Sequence, residues 1–108
     1  MVIAKGNVLN INGKNIELEY TIIKVLDYST QVIVLVYDDL IIPNNVISFD
    51  DNGNELWKIN DILEIKKPTG NVDIQKGEEG ILVVHSSLGM IYKIDIHKKI
   101  LLEKQYLR

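Results

Sequence analysis

Three places in the chain have residue types that could do chemistry. Asp50-Asp51-Asn52-Gly53-Asn54-Glu55 offers carboxylates and amides of the kind a calcium ion takes. An EF-hand loop with Gly53 at its sixth position would begin at Ser48 and need a bidentate glutamate where Ile59 stands, so the pattern fails and reads as a hairpin turn. His85 and His97 are the only histidines, and neither has a second ligand at metal-binding spacing. Ser86 follows His85 directly; in a strand the two point to opposite faces, which spoils a serine–histidine pair. Asp38-Asp39 and Glu78-Glu79 are adjacent carboxylates, but in turns both members stay hydrated, whereas acid–base pairs need an enclosing cleft. There is no cysteine, hence no disulfide, thiolate metal site or cysteine nucleophile. No catalytic constellation is recognisable. The expectation is a non-enzymatic chain with neither cofactor nor metal.

The elements that would carry these residues read as strands. Eighteen residues are isoleucine, ten are valine and Ala4 is the single alanine, a bias towards stiff, β-branched side chains. Asn12-Gly13 is a strong two-residue hairpin signal, flanked by alternation that puts Leu9, Ile11, Ile16 and Leu18 on one face and Asn10, Glu17 and Glu19 on the other. The alternation runs on through Tyr20 and Ile22 and predicts a bent continuation of the second strand. Residues 31–37, QVIVLVY, are apolar on both faces, which predicts a central strand covered on both sides. Pro43-Asn44-Asn45 marks a loop. A second hairpin spans residues 45–59 with Asn52-Gly53 as its turn. Beyond it the pattern predicts a turn at Pro68-Thr69-Gly70, a short strand at 72–75, and strands at 81–85, 90–95 and 100–106. No helix of ten residues is visible. The fold class is therefore all-β: one antiparallel domain over residues 1–108, of about eight to ten short strands, arranged as a sandwich, an open barrel or a partial propeller-like sheet.

The whole chain has 108 residues, 46% hydrophobic and 25% charged, ordinary values for a globular protein. Its longest apolar run, Val32 to Tyr37, is far too short for a membrane-spanning helix, and the start shows no signal-peptide pattern. Together with the missing cysteines this predicts a cytoplasmic protein without a membrane partner. The net charge of −3 argues against nucleic acid. Its distribution is uneven. Residues 1–54 hold three lysines against seven acids (3 − 7 = −4), and residues 55–108 hold nine basic groups against eight acids (9 − 8 = +1).

Two segments carry a resemblance. Residues 45–59, NVISFDDNGNELWKI, resemble the blade hairpin of quinoprotein-like β-propeller repeats, with a strand ending in Asp, a Gly turn and a Leu-Trp pair. Residues 81–104 resemble a following repeat, but have Lys98-Lys99 where the blade has Thr-Gly and lack a tryptophan after Leu101-Leu102. A closed propeller needs at least four blades of about 40 residues, for which this chain is too short. In size and pattern the chain is also similar to small bacterial immunity proteins of polymorphic-toxin and contact-dependent-inhibition systems. That resemblance implies a domain that neutralises a cognate toxin by direct binding, with the toxin as a basic partner. The residues expected to face it are Asp38, Asp39, Asp50, Asp51 and Glu55, in or beside two turns that could meet at one end of a sheet. Trp57 or Tyr37 would be the aromatic anchor, although a lone tryptophan sharing a strand face with Ile59 also reads as core. The alternative face is the basic stretch from Lys93 to Arg108, which suits an acidic partner. A structural or oligomeric β module, or a small-molecule or carbohydrate binder, stays open beside the immunity reading.

Overall fold

The computed structural model describes residues 1–65, 67 and 69–106. Among these residues the chain forms eleven strands, a single turn of 3-10 helix at Ile59–Asp61, and no α-helix. Strands β1 (Val2–Lys5), β2 (Val8–Ile11) and β3 (Lys14–Glu17) make a first sheet. A second contains β4 (Ile22–Asp27), β5 (Gln31–Val36), β6 (Val46–Asp50) and β7 (Glu55–Lys58). The third contains β8 (Asn71–Lys76), β9 (Ile81–Ser86), β10 (Met90–Asp95) and β11 (Ile100–Tyr106). Strands neighbouring in sequence pair antiparallel within each sheet, so the all-β antiparallel class read from the sequence is the one adopted. The count exceeds the expected eight to ten. The strand without a sequence signal is β1, four residues that pair with β2 through a turn at Gly6, where φ is +61°.

The three sheets are stacked, and β5 shows why. All six of its residues are buried. Ile33 and Leu35 pack towards the third sheet with Ile74, Leu82, Val84 and Ile94. Val32, Val34 and Val36 pack towards the first sheet with Leu9 and Ile11. A strand apolar at every position after Gln31 satisfies a middle layer, because alternate side chains serve opposite cores. The expectation of a strand covered on both sides holds. The expectation that residues 20–26 continue β3 does not: the chain leaves the first sheet after Glu17 and enters the second at Ile22. The alternation that suggested continuity instead splits between cores, with Ile22 and Val25 in one and Leu26 in the other.

Both predicted hairpin turns form, in different ways. Asn12 and Gly13 have φ of +52° and +91°, as a two-residue turn matched to strand twist demands. At Asn52-Gly53 only the glycine has positive φ, +86°. There the Gly53 N–H donates to the Asp50 carbonyl at 3.1 Å and the Asp50 N–H to the Asn54 carbonyl at 2.9 Å, and the sheet register slips between Ser48 and Phe49. The Asp50 carboxylate holds this longer turn, accepting from the backbone N–H groups of Asn52 and Asn54 at 2.9 and 2.8 Å. The predicted tail strands occupy 81–86, 90–95 and 100–106, and the short strand covers 71–76. The turn expected at Pro68-Thr69-Gly70 includes Pro68, which lies outside the described residues.

Candidate functional site

The acidic residues singled out in the sequence divide between two places. In β5–β6 pairing Gln31 stands opposite Asp50 and Leu35 opposite Val46, so the turn after β6 and the loop after β5 leave opposite ends of the middle sheet. Asp50 and Asp51 therefore do not meet Asp38 and Asp39, which corrects the expectation of one joint cluster. Asp51 lies instead beside Asn12 of the first hairpin, whose side-chain amide donates to the Asp51 carbonyl at 3.3 Å.

Asp38 and Glu55 do line one cleft, together with acids whose alternation predicts only an outward face. A cleft of about 220 Å³ opens between the first and second sheets. Glu17, Leu18, Glu19 and Tyr20 line it from the end of β3, Asp38 and Leu40 from the loop after β5, and Glu55 and Lys58 from β7. Tyr20 marks how closely the acids converge. Burial, and after it the charges of Glu19, Asp39 and Asp38, push its phenol up from the usual tyrosine range. Among the described residues Lys58 is the one cation on the walls, and it lies 4.0 Å from Glu55. The loop beside the cleft presents apolar side chains to solvent: Ile41 is 86% exposed, Tyr37 69% and Leu40 50%.

Not every acid here is at liberty to meet a ligand. The Asp38 carboxylate accepts from the Leu40 N–H at 2.7 Å and the Asn44 N–H at 3.0 Å, so it holds the 38–44 loop in shape. Asp50 does the same for its own turn, where the Asn54 and Asn52 N–H groups and the Asn54 amide hold its carboxyl below the usual range against a smaller opposing effect of burial. Glu17, Glu19 and Glu55 are exposed acids of the cleft walls, and Asp39, also exposed, stands at the margin near Tyr20.

Trp57 is 3% exposed and belongs to the core between the second and third sheets, so it cannot anchor a partner as the sequence had allowed. Tyr37 keeps that capacity. His97 is exposed in its turn, while His85 on β9 is half-buried, its Nε2 enclosed and without a hydrogen-bond partner among the described residues. Ser86 is buried on the opposite face and its hydroxyl accepts from the Met90 N–H at 3.1 Å. Among the described residues no three histidine, aspartate or glutamate side chains gather closely enough to hold a metal ion. No helix of the described residues is long and apolar enough to cross a membrane.

A second concavity lies on the third sheet. A hollow of about 520 Å³ is walled by Ile65, Met90, Tyr92, Lys104 and Tyr106 among others, and an adjoining one of about 460 Å³ shares Ile65, Met90, Tyr92 and Lys104 with it and adds Leu101. No local sequence pattern signals this trough, because it arises where the segment after the 3-10 turn passes over the inner face of β10 and β11.

The family model that matches this chain is that of a domain of unknown function (DUF7957), and the match spans residues 1–106. No curated protein matches the chain.

Proposed function

The chain belongs to the DUF7957 family, and we propose that it is a non-catalytic binding protein of the immunity type, which neutralises a cognate toxin by docking its cleft between the first and second sheets onto a basic surface of that toxin. The observation that carries this reading is the convergence of Glu17, Glu19, Asp38, Asp39 and Glu55 from three separate elements beside exposed Tyr37, Leu40 and Ile41. Concentrated charge of one sign speeds the encounter with a partner of the other sign. Exposed aromatic and aliphatic side chains next to it then supply area that gains from being dried, which charge alone does not. Hot-spot residues near the centre of an interface carry most of its binding energy, and Tyr37 and Ile41 are placed for that role. The rest of the fold suits a rigid scaffold: the loop that presents them is pinned by Asp38 and by the Asn60 side-chain amide, which donates to the Pro43 carbonyl at 2.9 Å. The cytoplasm is the location this reading entails.

The test begins with the product of the adjacent reading frame, expressed with a disabled active site and mixed with the purified chain. The reading expects a stable one-to-one complex whose formation slows steeply with added salt, since exposed charges are screened beyond a Debye length of about 8 Å at physiological ionic strength. It also expects the double variant Tyr37→Ala/Ile41→Ala to dissociate at least about tenfold faster, as loss of anchor residues does. Failure to form any complex, or a complex indifferent to both salt and the double variant, would contradict it.

A further inference from the structure

We propose that the free edge of β11, with the trough beside it, receives an extended acidic peptide segment that adds to the third sheet as a fifth strand. Among the described residues the strand order β11-β10-β9-β8 leaves β11 with a neighbour on one side only, and all seven of its residues are exposed. A bare edge presents unpaired N–H and C=O groups, the template that strand addition uses. Register fixes which side chains would meet the guest. Leu101, Lys104 and Tyr106 stand opposite Ile94, Tyr92 and Met90, so they share the inner face, where the trough lies. Alternate apolar side chains of an added strand would lean over Leu101 and Tyr106 into that trough, where Met90 and Tyr92 continue the apolar wall. Leu102 is the extra residue of a register slip in β11, between Glu103 opposite Lys93 and Leu101 opposite Ile94. A bulge limits indiscriminate edge pairing and favours a guest held by side chains as well as by backbone.

Charge selects the guest. In a chain of net charge −3, this side presents Lys67 and Lys104 on the trough walls and Lys98 and Lys99 in the turn leading into β11. Against them, among the described residues, the walls carry one acid, Glu64, and Glu103 on the outer face is engaged by Lys93 at 3.7 Å. The fitting occupant is an extended segment of a protein that alternates apolar residues with aspartate or glutamate. This site is independent of the cleft between the first and second sheets.

The experiment pans a phage-displayed library of random nine-residue peptides against the full chain. It then measures the selected peptides on the parent, on Leu102→Pro, on Lys104→Glu and on the cleft variant Glu17→Lys/Glu19→Lys/Asp39→Lys. The proposal expects enriched peptides that alternate apolar residues and carry net negative charge. They should bind Leu102→Pro and Lys104→Glu at least tenfold more weakly than the parent and bind the cleft variant undiminished. On the parent, they should slow hydrogen exchange at alternate amides between Ile100 and Tyr106. Lys104→Glu keeps the question open to refutation if Leu102→Pro does not fold. The proposal is overturned if nothing enriches, if the enriched peptides are basic or unpatterned, or if they bind Lys104→Glu as tightly as the parent. It is equally overturned if they lose binding only on the cleft variant, or if the parent sediments as a dimer that already protects the β11 edge.

Discussion

The middle sheet is joined to its two neighbours by different means. Its joint with the third sheet is tied by directional polar contacts as well as by apolar packing. The Gln31 side-chain amide donates to the Ile96 carbonyl at 3.1 Å, and the Ser48 hydroxyl donates to Gln31 Oε1 at 2.7 Å, with both side chains buried. Asn45 and Asn71 exchange amide contacts at 2.8 and 3.0 Å, Tyr28 donates to the Ile81 carbonyl at 2.8 Å, and Lys24 meets Asp73 at 3.0 Å. The joint with the first sheet is chiefly apolar, with Leu9, Ile11, Val32, Val34 and Val36 at its core; the exposed Asn12–Asp51 contact lies at its rim, and the Ile22 N–H donates to the Gly6 carbonyl at 2.8 Å where the chain passes between the sheets. Apolar contact is non-directional, whereas a buried hydrogen bond fixes register, because leaving its partner unmatched costs about 1–3 kcal/mol. Native-state hydrogen exchange is expected to find the second and third sheets the better protected part of the molecule, and the first sheet, along whose boundary the acidic cleft opens, the less protected.

The largest effects that sharpen this contrast come from matched cavities. Leu35→Ala and Leu9→Ala each empty a fully buried position, so each should cost about 2–5 kcal/mol at its own joint. Native-state hydrogen exchange separates them. Leu35→Ala should accelerate exchange in all three sheets, whereas Leu9→Ala should release β1–β3 and spare β5 and β8–β10. Uniform acceleration by both would erase the distinction. Next in size, Gln31→Leu strands the Ser48 hydroxyl and the Ile96 carbonyl and should lower stability by about 1–3 kcal/mol in denaturant unfolding. Adding Ser48→Ala should recover part of that loss, and strict additivity would show that the pair does not act as a clasp.

The two hairpin glycines give a finer comparison. Valine at Gly13 meets open space and suffers only the positive-φ penalty of about 1–2 kcal/mol. At Gly53 a Cβ would also stand 2.8 Å from Ile16 Cδ1, where the turn of the second sheet rests on β3. Gly53→Val should therefore lower the melting temperature more than Gly13→Val, and the reverse order would refute the contact. The smallest effect is a pH dependence. Burial pushes the Tyr28 phenol up to about 12, and its hydroxyl donates to the third sheet. A raised pKa means that the neutral form is favoured by folding. Its contribution is complete below about pH 10, the ordinary tyrosine value, and fades as pH rises towards 12. Tyr28→Phe should flatten the alkaline limb of the stability curve over that window, and an unchanged limb would assign it to other groups.

Much of the fold was legible because local chemistry and tertiary demand agree. Asn12-Gly13 requires positive φ, and residues 32–36 are apolar at every position because a middle strand serves two cores. The chain from Glu17 to Ile22 misled because alternation records that a residue faces a core, not which core it faces. For the candidate site, Asp38 and Asp39 were readable as an acidic turn, and Glu17 and Glu19 as outward-facing. Their meeting at Tyr20 depends on how two sheets stack, which no local pattern encodes. Trp57 shows the converse, since the alternation that puts it beside Ile59 also buries it. Asp38 and Asp50 were read as free surface charges, yet their carboxylates are committed to their own loops, a role that the aspartate-to-amide spacing within a turn does signal.

That last point decides how the central claim is best tested. Reversing Asp38 or Asp50 would disturb loops as well as charge, so the decisive measurement compares two triple variants with the same change in net charge. One, Glu17→Lys/Glu19→Lys/Asp39→Lys, rewrites the cleft. The other, Asp51→Lys/Glu78→Lys/Glu79→Lys, changes exposed acids that do not line it. Association rates with the product of the adjacent reading frame, measured by stopped flow at low salt, should fall at least about tenfold for the cleft variant and change little for the other. Equal slowing by both would reduce the effect to net charge, and no slowing by the cleft variant would contradict the assignment of the cleft as the docking surface.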